Sequence, residues 1–263
     1  FTSAVEGLAY CLEQDVDIIL VDYKMPGIDG IELIRKVRSV PEKSGVPIVM
    51  ITSVDERNVL RLALDSGAND FLTKPVDEVE LTARVRNMLS LRAYSLELKT
   101  LATIDSLTSA YNRRYFLDEA RKEFSRSRRY EAPLSILMID ADKFKLVNDN
   151  YGHAGGDAVL TSMSHTCRAE LREIDFIGRL GGEEFAICLA ETTSSGAVKV
   201  AERLRESIEN LAVSTNMGCV KFTVSIGVTE MLESDQDFSS ALNRADRALY
   251  SAKDSGRNKV VDI

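Results

Sequence analysis

The chain has 263 residues, 44% hydrophobic and 28% charged, with a formal net charge of −8 and an isoelectric point near 5.0. That length and apolar content support two buried cores, and the acidic balance, with no basic stretch beyond 126–129, argues against bulk nucleic-acid binding. Scattered cysteines (Cys11, Cys167, Cys188, Cys219) and two histidines, His153 and His165, exclude a zinc-ligand pattern and a disulfide framework. No apolar run approaches the roughly 18 residues of a membrane span, and no signal-peptide pattern is present. The expected compartment is a reducing cytoplasm, with no membrane partner.

In chain order, residues 4–14 have the spacing of an amphipathic helix, 17–21 read as a buried strand ending in Asp22, and Met25-Pro26-Gly27 as a turn. A helix over 30–38, a strand over 47–51 ending in Thr52-Ser53, and a helix over 56–66 follow, leading to Asn69-Asp70-Phe71-Leu72-Thr73 and Lys74-Pro75. This βα alternation predicts a parallel sheet with helices on both faces, with Asp22, Thr52 and Lys74 at one edge. A carboxylate, a hydroxyl and an ammonium converging there suit a phosphoryl-accepting site. Asp22 is the nucleophile, Thr52 and Lys74 bind the incoming oxygens, and Pro75 aims the lysine through a cis bond. The segment resembles a response-regulator receiver domain (flavodoxin-like), with Phe71 at its aromatic switch position. The resemblance implies control by phosphorylation from a sensor histidine kinase. It also implies that a first strand, an acidic Mg²⁺-binding pair, a first helix and a second strand belong ahead of Ala4. The receiver expected over 1–88 therefore lacks them, and its truncated sheet should expose an apolar edge.

Residues 80–103 contain no proline or glycine and read as one long helix. Its apolar positions, Leu81, Val85, Met88, then Leu91, Tyr94, Leu98 and Leu101, recur at threes and fours. The first half packs on its own domain. The stretch over 89–104 outruns that domain as a stalk, whose stripe suits a parallel two-stranded coil better than intrachain packing.

The apolar run 134–139 ends abruptly in Asp140-Ala141-Asp142, as a buried strand does when its C-terminal end meets a ligand site. The stretch from Asn148 to Asp157 is rich in side chains able to pair with a base edge, and an apolar helix is expected after it. Phe176, Ile177 and Leu180, then Phe185 to Leu189, read as the arms of a β-hairpin around Gly181-Gly182-Glu183-Glu184. The glycines suit positive φ and let backbone approach a bulky anion. Adjacent carboxylates repel unless a divalent cation neutralises them, so the turn suits Mg²⁺ held against a nucleotide phosphate. A solvated hairpin tip gives the same pattern. If the two strands are neighbours, Asp140 and Glu183 can share a metal.

From about Thr103 onward the chain resembles a GGDEF-domain diguanylate cyclase, expected over 105–263. The matches are Asp105-Ser106-Leu107-Thr108 with Tyr111-Asn112-Arg113-Arg114-Tyr115, the stretch from Asp140 to Asp157, and Arg179-Leu180-Gly181-Gly182-Glu183-Glu184-Phe185. Val224-Ser225-Ile226-Gly227, then Ala245 to Tyr250 through Lys253, Arg257 and Asn258, complete them. Glu183 stands where the family name has Asp, and either carboxylate ligates Mg²⁺. The resemblance implies condensation of two GTP into cyclic di-GMP with release of pyrophosphate. That reaction needs a homodimer, formed through stalk and receiver, because each 3′-hydroxyl attacks the other nucleotide's α-phosphorus.

By the same resemblance Asp140, the Ala141 backbone carbonyl and Glu183 hold two Mg²⁺ ions, for which Mn²⁺ can substitute, and Glu183 or Glu184 takes the hydroxyl proton. Asn148 and Asp157 read guanine, with Leu107 walling the pocket. Gly181 and Gly182 approach the substrate, and phosphates are held by backbone N–H groups near Lys143 and Phe144 and by Lys253 and Arg257. A solvated, cation-favouring helix end also accounts for Lys253 and Arg257, and His153 carries no assigned role. Arg172-Glu173-Ile174-Asp175, with Arg203, coincides with the family's product-inhibition site, although an exposed helical ion pair has the same spacing.

The expected architecture is an α/β receiver-like domain with a parallel sheet, a helical stalk, and an α+β GGDEF domain with a palm-like, nucleotidyl-cyclase-like antiparallel sheet. The leading function is a diguanylate cyclase regulated by its receiver and by its product. The alternative is a catalytically silent protein that binds GTP or cyclic di-GMP. A phosphorelay scaffold leaves the second acidic cluster unexplained, and Asn148 with Asp157 disfavours an adenylyl-cyclase-like activity.

Overall fold

The computed structural model describes residues 1–53 and 57–263, so Glu56, expected to start the third helix, lies outside the described residues. The chain divides into two compact units, Phe1–Lys99 and Thr100–Ile263.

In the first unit α1 (Ala4–Glu13), α2 (Gly30–Arg38) and α3 (Arg57–Asp65) alternate with β1 (Ile19–Asp22), β2 (Ile48–Ser53) and β3 (Asp70–Lys74). The strands form a parallel sheet in the order β1-β2-β3. Its core gathers Ile19, Val21, Ile34, Val37, Ile48 and Met50. Leu20 of β1 is 44% exposed and lines an apolar groove with Leu81, Val85 and Leu89. Helix α4 runs Glu78–Thr103, two residues longer at its start than periodicity predicted. The extension comes from Asp77, whose carboxylate accepts the Glu80 N–H at 2.8 Å in a capping arrangement.

The second unit carries a six-stranded sheet. In chain order its strands are β4 (Tyr111–Asn112), β5 (Leu134–Ala141), β6 (Phe176–Gly181), β7 (Glu184–Ala190), β10 (Val224–Glu230) and β11 (Val260–Asp262), ordered β11-β10-β5-β7-β6-β4 across the sheet. A separate hairpin joins β8 (Val213–Thr215) and β9 (Gly218–Val220). The four central strands pair antiparallel, as expected of a palm-like sheet, while β4 and β11 add parallel edges.

Every residue of β5 is buried, because both faces of the sheet are covered. Leu134, Ile136 and Met138 face the core under α5 (Arg113–Tyr130) and α8 (Phe238–Asp254). Leu137, Ile139 and Ala141 face the core under α6 (Phe144–Glu170) and α7 (Ser194–Glu209). One expectation is corrected here. The apolar helix expected after the base-edge stretch is present, with Val159, Leu160 and Met163 buried, but the stretch is itself largely helical: α6 starts at Phe144 and is broken at Gly152 (φ 68°, ψ 171°). No helix among the described residues is long and apolar enough to cross a membrane.

Candidate active site

Strand register assembles the acidic centre. Asp140 stands opposite Glu184 of β7 on one side and Ser225 of β10 on the other. A bulge between Arg179 and Gly181 ends the β6–β7 ladder, and the turn uses Gly181 at φ 155° and Gly182 at φ 54°, the second a left-handed conformation that favours glycine. Arg179 clamps this turn: its Nε donates to the Gly182 carbonyl at 2.9 Å and its Nη1 to Asp105 at 3.2 Å. Asp105 also accepts from the Thr108 N–H (2.9 Å) and hydroxyl (2.6 Å), closing the turn that carries Leu107 against the core. Burial acts to raise the Asp105 pKa, and the Thr108 hydrogen bonds with the Arg179 charge outweigh it, leaving the carboxyl below its usual range.

Asp140 is only 5% exposed. Burial, reinforced by Glu183 and Glu184, pushes its pKa up to about 6 against the opposing pull of Lys253, whose ammonium lies 2.7 Å away. The lysine expected at the phosphates thus rests on the carboxylate expected to hold the metal. Among the described residues no three His, Cys, Asp or Glu side chains form a metal-binding group. The expected donor set needs only Asp140, Glu183 and a backbone carbonyl. All are hard oxygen donors, and a buried carboxylate raised by its acidic neighbours is relieved by a divalent cation, so the residues present fit Mg²⁺.

Asp142 is the residue that sequence reasoning missed. It is buried, and its carboxylate accepts from Thr223 Oγ1 (2.7 Å), Ser225 Oγ (2.6 Å) and the Asn258 N–H (3.0 Å). It ties three segments together beside the C-terminal end of β5. Alternation along β5 was the available signal, since it sets Asp142 on the same side of the strand as Asp140. Lys143 follows with φ 54°, and no side chain caps the N-terminus of α6. Asn148 is half-buried and its Oδ1 packs so closely on Gly156 that a β-carbon there would displace it, which sets the amide beside the backbone next to Asp157. Asp157 and His153 are exposed, and Arg257 lies at a cleft together with Lys143.

Arg172 and Asp175 form a tight turn, not a helical pair: the Asp175 N–H donates to the Arg172 carbonyl, and the Arg172 N–H donates to Asp175 Oδ2, both at 3.1 Å. They line a cavity of about 300 Å³ with Tyr111 and Arg168. Asp175 Oδ1 is buried without a partner among the described residues, and burial raises this carboxyl's pKa against the Arg172 N–H. Arg203 does not line that cavity; it is held by Glu170 at 2.7 Å.

In the first unit Asp22, Thr52 and Lys74 all stand at the C-terminal ends of β1, β2 and β3. Lys74 Nζ bonds Asp22 Oδ2, Thr52 is buried, Phe71 is half-buried and the Lys74-Pro75 peptide is cis.

The buried carboxylate at the end of β5, set against the acids of a Gly-Gly hairpin and backed by Asp142, has the make-up of a nucleotidyl cyclase type of site. Comparison agrees: residues 102–259 match the family of the diguanylate cyclase GGDEF domain, and residues 1–86 match the response regulator receiver domain. The chain belongs to the GGDEF-domain family and carries a receiver domain ahead of it.

It is 33% identical over 255 residues to the response regulator PleD of Caulobacter vibrioides, covering 94% of this chain and 56% of that protein. The coiled coil and GGDEF domain of DgcB from Caulobacter crescentus, solved with c-di-GMP, superimposes with a TM-score of 0.64 at 28% identity, covering 71% of this chain and 98% of that one. The active GGEEF domain of a Vibrio cholerae diguanylate cyclase gives a TM-score of 0.55 at 35% identity, covering 57% and 96%. The chain spans about half the length of the curated relatives it matches.

Proposed function

We propose that the protein is a diguanylate cyclase that condenses two GTP into cyclic di-GMP and two pyrophosphates. The observation that carries this reading is the convergence of Asp140, Glu183 and Glu184 at the Gly-Gly hairpin, where burial and mutual repulsion raise Asp140. The Vibrio cholerae relative named active has the same Glu in place of Asp, which supports Glu183 as a competent variant.

Asp140, Glu183 and the Ala141 carbonyl would hold Mg²⁺. Bound there, the metal would neutralise phosphate charge and polarise the α-phosphorus. Asn148 and Asp157 bind guanine, an amide plus a carboxylate matching its O6 acceptor and its N1 and N2 donors, while Leu107 closes the pocket. Lys143, Phe144, Lys253 and Arg257 hold the phosphates, with Lys253 leaving Asp140 as substrate enters. Glu183 or Glu184 accepts the 3′-hydroxyl proton. The freed oxygen bonds to the partner nucleotide's α-phosphorus as the α,β-bridging P–O bond breaks and pyrophosphate departs.

Two sites must face each other, so the active form is a homodimer. The exposed stripe of Leu91, Tyr94, Leu98 and Leu101 on α4, at heptad-like spacing, supports pairing through the stalk. The proposed division is a receiver over 1–88, a stalk over 89–104 and a cyclase over 105–263. A histidine kinase phosphorylates Asp22 with Thr52 and Lys74 assisting, cyclic di-GMP inhibits at Arg172, Asp175 and Arg203, and the protein works in the cytoplasm.

The test is incubation with GTP and Mg²⁺, resolving products by chromatography beside Glu184→Ala and an ATP control. Cyclic di-GMP and pyrophosphate from the parent alone uphold the reading. GTP bound but intact in a demonstrable dimer replaces it with ligand sensing.

A further inference from the structure

The turn from α8 into β11 carries Arg257, proposed to hold phosphate, and its backbone is unusual. Gly256, Arg257 and Asn258 stand in succession at φ 116°, 63° and 46°. Glycine takes such angles freely and asparagine tolerates them, whereas arginine seldom adopts them, so Arg257 keeps this conformation only because contacts on either side hold it. On the α8 side its N–H donates to the Ala252 carbonyl at 3.0 Å. The Arg257 side chain is exposed and makes no ion pair among the described residues, so its aim is set by the backbone that carries it.

Downstream, Asn258 is gripped from three directions. Its N–H donates to Asp142 Oδ2 (3.0 Å), its Nδ2 donates to Glu209 Oε1 (2.8 Å), and its Oδ1 accepts from Arg205 Nη1 (3.0 Å). An amide set between an acid and a guanidinium has a single orientation, because only Oδ1 accepts and only Nδ2 donates. Arg205 governs both side-chain contacts. Its Nη1 also donates to Glu209 Oε2 at 2.8 Å, and its Nε donates to Glu202 Oε2 at 2.7 Å. The side chain is only 15% exposed, lies on α7, and does not line the cleft of Lys143 and Arg257. A planar guanidinium can serve two carboxylates and an amide together, whereas an ammonium is a point charge without that fork.

We propose that Arg205 is a positioning residue for the reaction: from α7, through Asn258 and Glu209, it fixes the backbone that aims Arg257 at the substrate phosphates, without touching substrate itself. The inference rests on the cyclase reading for the role of Arg257. The clamp of Arg205, Glu209 and Asn258 stands whether or not the chain turns over. Its consequence is that phosphate binding depends on a helix outside the site, and that loosening α7 at Arg205 acts on the nucleotide only through Arg257.

The test is a double-mutant cycle on the whole chain, with Arg205→Met, Arg257→Ala and both together, titrated calorimetrically with Mg²⁺ and either GMP or a GTP analogue whose α,β-bridge is methylene. Arg205→Met is expected to weaken the analogue about five- to tenfold and to leave GMP, with its single phosphate, nearly unchanged. Added to Arg257→Ala it should cost nothing further, because the side chain it aims is gone. Arg205→Lys should recover only part of the loss. Asn258→Gly takes the left-handed angle without strain yet breaks the link, so it covers a failure of Arg205→Met to fold and should show the same loss and the same silence beside Arg257→Ala. An equal Arg205→Met loss with and without Arg257, an equal loss on GMP, or parent-like binding in both Arg205→Met and Asn258→Gly overturns the inference. Parent-like binding in Arg257→Ala removes the phosphate role of Arg257 and the positioning with it. Product analysis with GTP separates this from the cyclase reading: a parent that makes cyclic di-GMP without the coupling keeps the cyclase and loses the positioning, and a parent that shows the coupling without turnover does the reverse.

Discussion

Replacing Gly156 by alanine should separate folding from nucleotide recognition. A β-carbon at 156 would stand 2.0 Å from Asn148 Oδ1 and 3.0 Å from Phe144 Cζ. Ordinary non-bonded contact needs about 3.5 Å, so the Asn148 amide must withdraw by about 1.5 Å, more than a hydrogen bond to guanine tolerates. The backbone at 156 is helical, and alanine there favours the helix by up to about 1 kcal/mol relative to glycine. Stability should change little, whereas losing one base-reading hydrogen bond costs about 1–2 kcal/mol, or about five- to thirtyfold in GTP affinity. The preference for GTP over ATP should fall by a similar factor. Titration of both nucleotides, beside a thermal melt followed by circular dichroism, measures the two effects separately. Parent-like GTP affinity with an unchanged melt would refute the role of Asn148, and a collapsed melt would refute the claim that the clash is absorbed by one side chain.

Two further outcomes concern the acidic centre and the inhibitory turn. A carboxyl raised in the folded state, as Asp140 is to about 6 by burial first, stabilises the fold below its unfolded pKa and loses that contribution as pH rises through the folded value. The metal-free C-terminal unit should therefore be less stable at pH 7 than at pH 5 by about 1 kcal/mol, allowing for solvent screening. Mg²⁺, which takes the ionised form, should bind more tightly across the same interval. Asp140→Asn should flatten both trends, and a slope surviving in that variant contradicts the assignment. Arg172→Ala should raise the cyclic di-GMP concentration for half-inhibition at least about tenfold, the loss of a charge-assisted bond, while the uninhibited rate holds; identical inhibition curves disprove it.

Local chemistry made much of this protein legible before folding. The largely apolar run of β5 read as a buried strand, and Gly181-Gly182 suited a tight turn, as the structure has them. The proline- and glycine-free stretch of α4 had to run as one helix, although its cap at Asp77 was overlooked. The Asp22, Thr52 and Lys74 edge followed from βα alternation, which forces parallel strands to end on the same side.

Other features are long-range, and no window of sequence contains them. Asp142 carried no role in sequence, yet folding sets it on Thr223 and Ser225 at the β10 side while Asp140 stands opposite Glu184 of the hairpin. Arg179 reaches Asp105 across 74 residues, and Arg203 goes to Glu170. The sequence by itself determined the elements and the chemical inventory, because helix, strand and turn preferences act over a few residues. The tertiary structure decided which charges are paired and which are left for a ligand, because Coulombic partnership depends on distance in space and not along the chain.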